Sequence, residues 1–304
     1  MKASRNHEIE FRGGIRGQLS SLVRVIPRGK YLKIAVGGLI LSCLVLTGLL
    51  SPIIVPHSPL KQTLELRLKP PAWHEGGDWN YPLGTDFLGR DIFSRILYGS
   101  RISLLIGTTT VLLAGLVGCL LGAISGYFGL YIDELIQRLV EIFLAFPFLL
   151  LAIALMAFLG TGVGNMILAL VLSRWVQYCR VVRGEVLSLK ERDFVIAARA
   201  LGQSHAKIVL RHILPNTLPS ILIVATFAMA TVIITEASLS FLGVGVPPSI
   251  PTWGSMLSEG RSYIHRAPWL AMFPGLAIFV TVLGINLLGD GLRDIFDPRL
   301  RGEH

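Results

Sequence analysis

The side chains in this sequence that are able to do chemistry are few, and none is arranged for catalysis. His74-Glu75 is followed by Gly-Gly-Asp and not by a second imidazole at helical spacing, so it is no HExxH zinc site. Gly29-Lys30 is followed by Tyr31 and lacks the upstream glycine of a phosphate loop, so no ATP is expected to bind by that route. No GxSxG nucleophile elbow occurs. Cys43, Cys119 and Cys179 are odd in number and widely spaced; they give neither a disulfide framework nor a metal site and read as packing residues. The carboxylates of Glu141, Glu236 and Asp290 stand beside long apolar runs, where charges are tolerated at span ends. What remains is a compact basic module, FVIAARALGQSHAKIVLRHILPN, over residues 194–216. It holds Arg199, Lys207, Arg211, two histidines, a central Gly202 and a terminal Pro215, between uncharged apolar runs.

Those runs decide the setting. Of 304 residues, 52% are hydrophobic and only 15% charged, with a mean hydropathy of +0.64, and the solvent for such a chain is a bilayer. A helix needs about 20 residues to cross about 30 Å of hydrocarbon. Six segments qualify, so the expected fold class is an all-α polytopic membrane protein with six transmembrane helices. The first begins at Ile34, the second lies in the run from Ile102 to Ile132, and the third follows Glu141 and contains AFPFLLLAIALMAFL. A GTGVGN break precedes the fourth, which starts at Asn165. The fifth runs from about Leu218 to Thr235 and the sixth from about Ala271 to Leu288. Arg174 interrupts the fourth. In a helix starting at Val163 it lies roughly 16 Å along the axis. A charge at that depth is a functional candidate, against the plainer reading of a helix whose inner half packs against protein.

Net charge is +9. With the N-terminus inside, 20 of the 28 Lys and Arg fall in cytoplasmic segments and 8 outside, which puts both termini in the cytoplasm. The first segment has no small-residue cleavage site and reads as an anchor. The basic residues are scattered, without interleaved exposed aromatics, so nucleic acid is not expected as a partner. The expected organisation is a basic cytoplasmic tail (1–33), a first transmembrane helix (34–54) and an outer loop with an amphipathic helix (55–101). A core of five transmembrane helices (102–290) follows, with a cytoplasmic loop at 186–217 and an outer loop at 240–270, and a cytoplasmic tail (291–304) closes the chain.

Within the cytoplasmic loop, Asp193 is positioned to N-cap a helix from Phe194, and Ala197, Ala198 and Ala200 give it a small-residue face. Gly202 is a helix stop. Ser204 is placed to cap a second short helix through about Leu214, and Pro215 to end it and turn the chain into span five. The product is a helix–turn–helix elbow suited to docking in another protein's groove. At the other side of the membrane, Phe87, Leu88, Ile92, Phe93, Ile96 and Leu97 alternate with Asp86, Arg90, Asp91 and Arg95 at helical spacing. That pattern predicts an amphipathic helix lying at the outer interface. The prolines of PPSIPTWG fix an extended outer loop, and Trp253 suits a membrane interface.

The module resembles the EAA loop of binding-protein-dependent ABC importer permeases. Ala197, Ala198, Gly202, Leu214 and Pro215 fall at positions matching that family's pattern, while Ile196 stands for its Glu and His212 for its Ile. EASLSFLGVGVPPSIPTWGSMLSEGR (236–261), PLGTDFLGRDIFSRILYGSRISLLIG (82–107) and the C-terminal PGLAIFVTVLGINLLGDGLRDIFDPR are similar to the second permease of dipeptide, oligopeptide and nickel importers. The resemblance implies the type I permease fold in a bacterial cytoplasmic (inner) membrane. It implies a homologous second permease, two cytoplasmic ABC ATPase subunits carrying ATP and Mg, and an extracytoplasmic substrate-binding protein. This chain would itself hold no cofactor and catalyse nothing. The ATPase-coupling residues would be Ala197, Ala198, Arg199, Ala200, Leu201, Gly202, His212, Leu214 and Pro215. Candidates for binding-protein contact or gating in the outer loop would be Glu236, Ser238, Phe241, Gly243, Trp253 and Gly254. Peptide cargo leads. Nickel, glutathione or another small solute is the alternative within the family, although the seven histidines all lie outside the predicted spans. A proton-coupled secondary transporter would want acidic or His residues at mid-span and repeated halves, and neither is found.

Overall fold

The computed structural model describes residues 28–296. The two predicted tails therefore lie outside the described residues except for 28–33 and 291–296, which are helical. The elements in chain order are α1 (Arg28–Ile54), a 3-10 turn (Leu64–Leu66), α2 (Ile92–Phe128), α3 (Leu130–Leu144) and α4 (Phe148–Leu159). They continue with α5 (Val163–Leu189), α6 (Asp193–Ala200), α7 (His205–Ile208), a π-helical turn (Val209–Ile213), α8 (Leu214–Phe241), α9 (Trp253–Arg261) and α10 (Trp269–Phe296).

The polytopic, all-helical architecture is as expected, but the spans are not six alike. Among the described residues, α1, α2, the run from α7 through α8, and α10 are long and apolar enough to cross a membrane. The predicted third span is broken: α3 and α4 meet at 88°. Pro147 lacks the N–H that would continue the helix and keeps Phe146 out of the helical region, so the chain must turn there. Twelve-residue α4 rises about 18 Å, short of a bilayer's hydrocarbon, so only the bent pair together amounts to a fifth span. The predicted fourth is α5, long enough at 27 residues, but Arg174, Arg180, Arg183 and Glu185 make its second half too polar to qualify by composition.

α2 and α5 form the central crossing. Gly118 and Gly122 permit it: a Cβ on either would stand 2.3 Å from the Trp175 carbonyl or 2.5 Å from that of Cys179. Small residues at one-turn spacing let two backbones approach, which is how helices pack where no hydrophobic force separates protein from lipid. α1 packs on α10 and α2. The main apolar core gathers Ile106, Met156, Met166, Leu170, Val232 and Leu239 from α2, α4, α5 and α8. The fold therefore has two ends, one carrying α6 and α7, the other the loop 55–91 with α9.

Candidate functional site

At the first end the chain forms the elbow. α6 begins at Asp193, with Arg192 as its N-cap, so Asp193 sits in the first turn and makes no capping bond. An acidic residue there still complements the helix dipole. α6 ends as predicted. Gly202 takes φ +72°, and the Gly202 and Gln203 amides donate to the Arg199 and Ala198 carbonyls. Ser204 occupies the N-cap position of α7, again without a side-chain bond.

The predicted stop at Pro215 does not occur. His205–Phe241 is one run, and the missing proline N–H is absorbed by the π turn, in which the Leu214 amide donates to the Val209 carbonyl. The Asn216 side-chain amide donates to the His212 carbonyl at 2.6 Å. A π turn inserts an extra residue, shifting register without ending the helix.

The elbow rests on a buried foot. Val195, Ala198, Ile208 and Ile213 pack against Ala123, Tyr127, Val182 and Val186 of α2 and α5. Of the three alanines predicted to face a partner, Ala198 is thus turned inward, while Ala197 and Ala200 face out. The outward face is larger than the alanines alone: Phe194, Ile196 and Leu201 are 43%, 49% and 80% exposed. Ile196, in the family's Glu position, is on this face. Tyr127 Oη and His205 Nδ1 are hydrogen-bonded at 2.8 Å, and Arg199 lies over the Tyr127 ring at 5.9 Å. Lys190 Nζ donates to the Gly126 carbonyl, and His212 Nε2 to the Gln203 side-chain oxygen at 2.9 Å. Leu214 is half-buried and Pro215 exposed. Tyr127, from the far end of α2, was missed in the sequence because nothing local marks it; only folding brings it under the elbow.

The opposite end corrects the expected amphipathic helix. Residues 85–91 make a turn, and α2 starts at Ile92 because the Asp91 carboxylate caps it, accepting from the Phe93 and Ser94 amides at 3.2 Å each. The helix then runs straight on into the span. Its charges do not face solvent. Asp86 accepts from Arg90 Nε at 2.6 Å and also from Arg95, while Glu259 on α9 accepts from both arginines at 2.8 Å. The Asp86, Arg90 and Arg95 side chains are almost wholly buried. Two carboxylates and two guanidinium groups balance, so the quartet ties the 83–95 segment to α9 without stranding a net charge.

The outer-loop candidates fall in the same region, and three of the six turn inward. Trp253 is 1% exposed and donates its indole N–H to the Ile96 carbonyl at 3.1 Å, so it is a core anchor and not an interfacial belt residue. Gly254 is pressed against α8, where a Cβ would meet Ala237 Cα at 2.5 Å. Glu236, equally buried, accepts from Ser240 Oγ at 3.0 Å and Ser103 Oγ at 3.4 Å. These three hold the fold together and offer no contact surface in this conformation. Ser238 bonds back to the Ile234 carbonyl, Phe241 lies under the Arg261 guanidinium at 5.2 Å, and Gly243 is exposed in the left-handed region at φ +81°. A Thr252–Ser255 capping box starts α9. No group of His, Cys, Asp and Glu suited to a metal occurs among the described residues.

Against known proteins, residues 118–302 match the family model described as binding-protein-dependent transport system inner membrane component. The chain is 42% identical to the di/tripeptide transport system permease protein DppC of Pseudomonas aeruginosa over 88% of each chain. It is 41% identical to the dipeptide transport system permease protein DppC of Haemophilus influenzae over 88% of this chain and 90% of that one. With the glutathione transport system permease protein GsiD of Escherichia coli O6:K15:H31 the identity is 48%, over 75% of this chain and 76% of that one. Its fold is like a chain of the MetNI methionine ABC transporter in inward facing conformations, with a TM-score of 0.56 at 19% identity, covering 68% of this chain and 98% of that one.

Proposed function

This chain belongs to the family of binding-protein-dependent transport system inner membrane components, and from that membership we propose that it is a permease subunit of an ATP-driven ABC importer of di- and oligopeptides. The observation that carries the cargo is its likeness along 88% of both chains to a di/tripeptide permease. The shorter but closer match to a glutathione permease favours a second reading of the same class, since glutathione is itself a small peptide.

In this reading six spans cross a bacterial inner membrane, counting the bent α3–α4 pair and α5, with both termini cytoplasmic. The elbow end faces the cytoplasm, where 8 of the 28 basic residues fall between Arg174 and Arg211. The chain pairs with a homologous second permease, and the pathway lies between them. Two ATPase subunits hold ATP and Mg. One of them docks on the face formed by Phe194, Ile196, Ala197, Ala200 and Leu201. An apolar side chain at position 196 suits an apolar groove where the family's Glu would make a polar contact. Movement of the ATPase pushes the elbow as a unit, because Val195, Ala198 and Ile208 are locked into α2 and α5 below it. The continuous run into α8 carries the same displacement to the pathway wall. A cycle of this kind is biased only through different affinities in its two states.

The deciding experiment is purification in mild detergent followed by reconstitution. Copurification of a phosphate-loop ATPase and a second permease, with ATP-dependent dipeptide uptake requiring the binding protein, is expected. A solitary chain moving cargo on a proton gradient would overturn the reading.

A further inference from the structure

Arg174 is buried at mid-length of α5, with 4% of its surface exposed, and has no matching anion. Its Nη2 reaches only Thr235 Oγ1, at the 3.5 Å limit of a hydrogen bond, and its Nε has no partner at all. No ion pair among the described residues involves it. The face of the Phe148 ring covers the guanidinium at 3.5 Å. An aromatic face is a partial substitute for water but does not satisfy N–H donors. A desolvated, unpaired cation inside a membrane protein is costly and is rarely kept without a function.

The surroundings say what would pair with it. Arg174, Gln177 and Val181 share one face of α5, and Thr231 and Thr235 one face of α8. Gln177 and Val181 of the first face and Thr231 of the second line a groove of about 670 Å³ that Arg174 and Thr235 do not themselves reach; its polar lining is Gln177, Arg180 and Thr231, with no acidic residue. It is bounded at one side by Leu144, the last residue of α3. Phe148, which covers the guanidinium, stands just past the α3–α4 bend, four residues beyond Leu144 of the groove wall. A mainly apolar groove whose polar groups are one cation, one amide and one hydroxyl, without a carboxylate, fits an anionic group carried on an uncharged body, and a planar guanidinium is shaped for two carboxylate oxygens.

We propose that Arg174 is an internal binding site for the carboxylate of the peptide cargo, sheathed by Phe148 in this conformation and opened to the α5–α8 groove when the α3–α4 bend moves. The inference rests on the peptide reading above. Phe148 acts as the shutter: while it covers the cation, apparent affinity is reduced by the fraction of time the site is open.

The test uses the assembled transporter, purified with its second permease and ATPases. Wild-type ATP-dependent uptake of labelled dialanine, with the binding protein present, tests the peptide reading alone; no uptake sinks that reading whatever Arg174 does. The inference itself is tested by equilibrium dialysis of labelled dialanine against the complex without the binding protein. Phe148→Leu, which keeps bulk but removes the aromatic face, is expected to raise affinity about tenfold. Adding Arg174→Gln removes the gain, Arg174→Lys retains part of it, and dialanine amide does not compete. In the reconstituted system Arg174→Gln lowers dialanine uptake at least tenfold while the complex copurifies intact. Undetectable binding in Phe148→Leu, equal competition by acid and amide, or unchanged uptake in Arg174→Gln would each overturn the proposal.

Discussion

At the elbow the bulky and charged side chains of a short polar segment face outward, and at the opposite end a comparable set faces inward. Phe194, Leu201 and Arg199 project from a small foot, whereas Asp86, Arg90, Arg95, Glu236 and Trp253 are enclosed. Both segments are loops between apolar helices, and both read as polar punctuation in the sequence. What separates them is whether partners for the polar groups exist within the chain. The far end has Glu259 for the arginines and the Ile96 carbonyl for the Trp253 indole. The elbow pairs His205 with Tyr127 and His212 with Gln203 but leaves Phe194, Ile196 and Leu201 uncovered, so that surface is available to another protein.

The contrast is best broken at the quartet. Asp86→Ala leaves two buried guanidinium groups sharing one carboxylate, and removal of one partner of a buried pair costs about 3–5 kcal/mol. A large drop in thermal unfolding temperature in detergent is expected, and an unchanged temperature would show that this end is no more self-sufficient than the elbow. Gly254→Ala tests the same end by volume. The added methyl meets Ala237 Cα at 2.5 Å, and overpacking of this kind costs about 1–3 kcal/mol. Loss of folded yield is the readout.

Gly202→Leu moves the test to the elbow. Nothing lies within 4 Å of the new Cβ, so the cost comes from forcing a left-handed backbone, about 1–2 kcal/mol. The chain is expected to insert normally while cargo-stimulated ATP hydrolysis falls; full stimulation would remove the coupling assignment. Tyr127→Phe deletes one hydrogen bond under the elbow, worth about 1 kcal/mol, and should weaken stimulation while ATPase copurification persists. Leu201→Asp has the smallest effect on stability, within about 0.5 kcal/mol for an exposed site, yet should abolish ATPase copurification. Retained copurification would mean that the exposed apolar face is not the docking surface.

Much of this molecule is determined by local composition. The apolar runs mark spans because only a helix satisfies its own backbone in lipid. Gly202 marks the elbow's turn because a left-handed residue without a Cβ is tolerated wherever the chain folds. The elbow's place in the chain follows from those two facts. Other features were decided in three dimensions. Helical spacing around Asp86, Arg90 and Arg95 is the same whether the polar side meets water or a carboxylate 164 residues away, so periodicity alone implied a surface helix where a buried network exists. Trp253 has the same amphipathic indole at a lipid boundary as in a core; the Ile96 carbonyl within reach settles which. Pro215 removes one backbone donor either way, but whether the chain stops or slips into a π turn depends on the packing of Ile208 and Ile213 beneath it. Sequence fixes the groups that need partners, and tertiary structure supplies those partners because they come from distant parts of the chain.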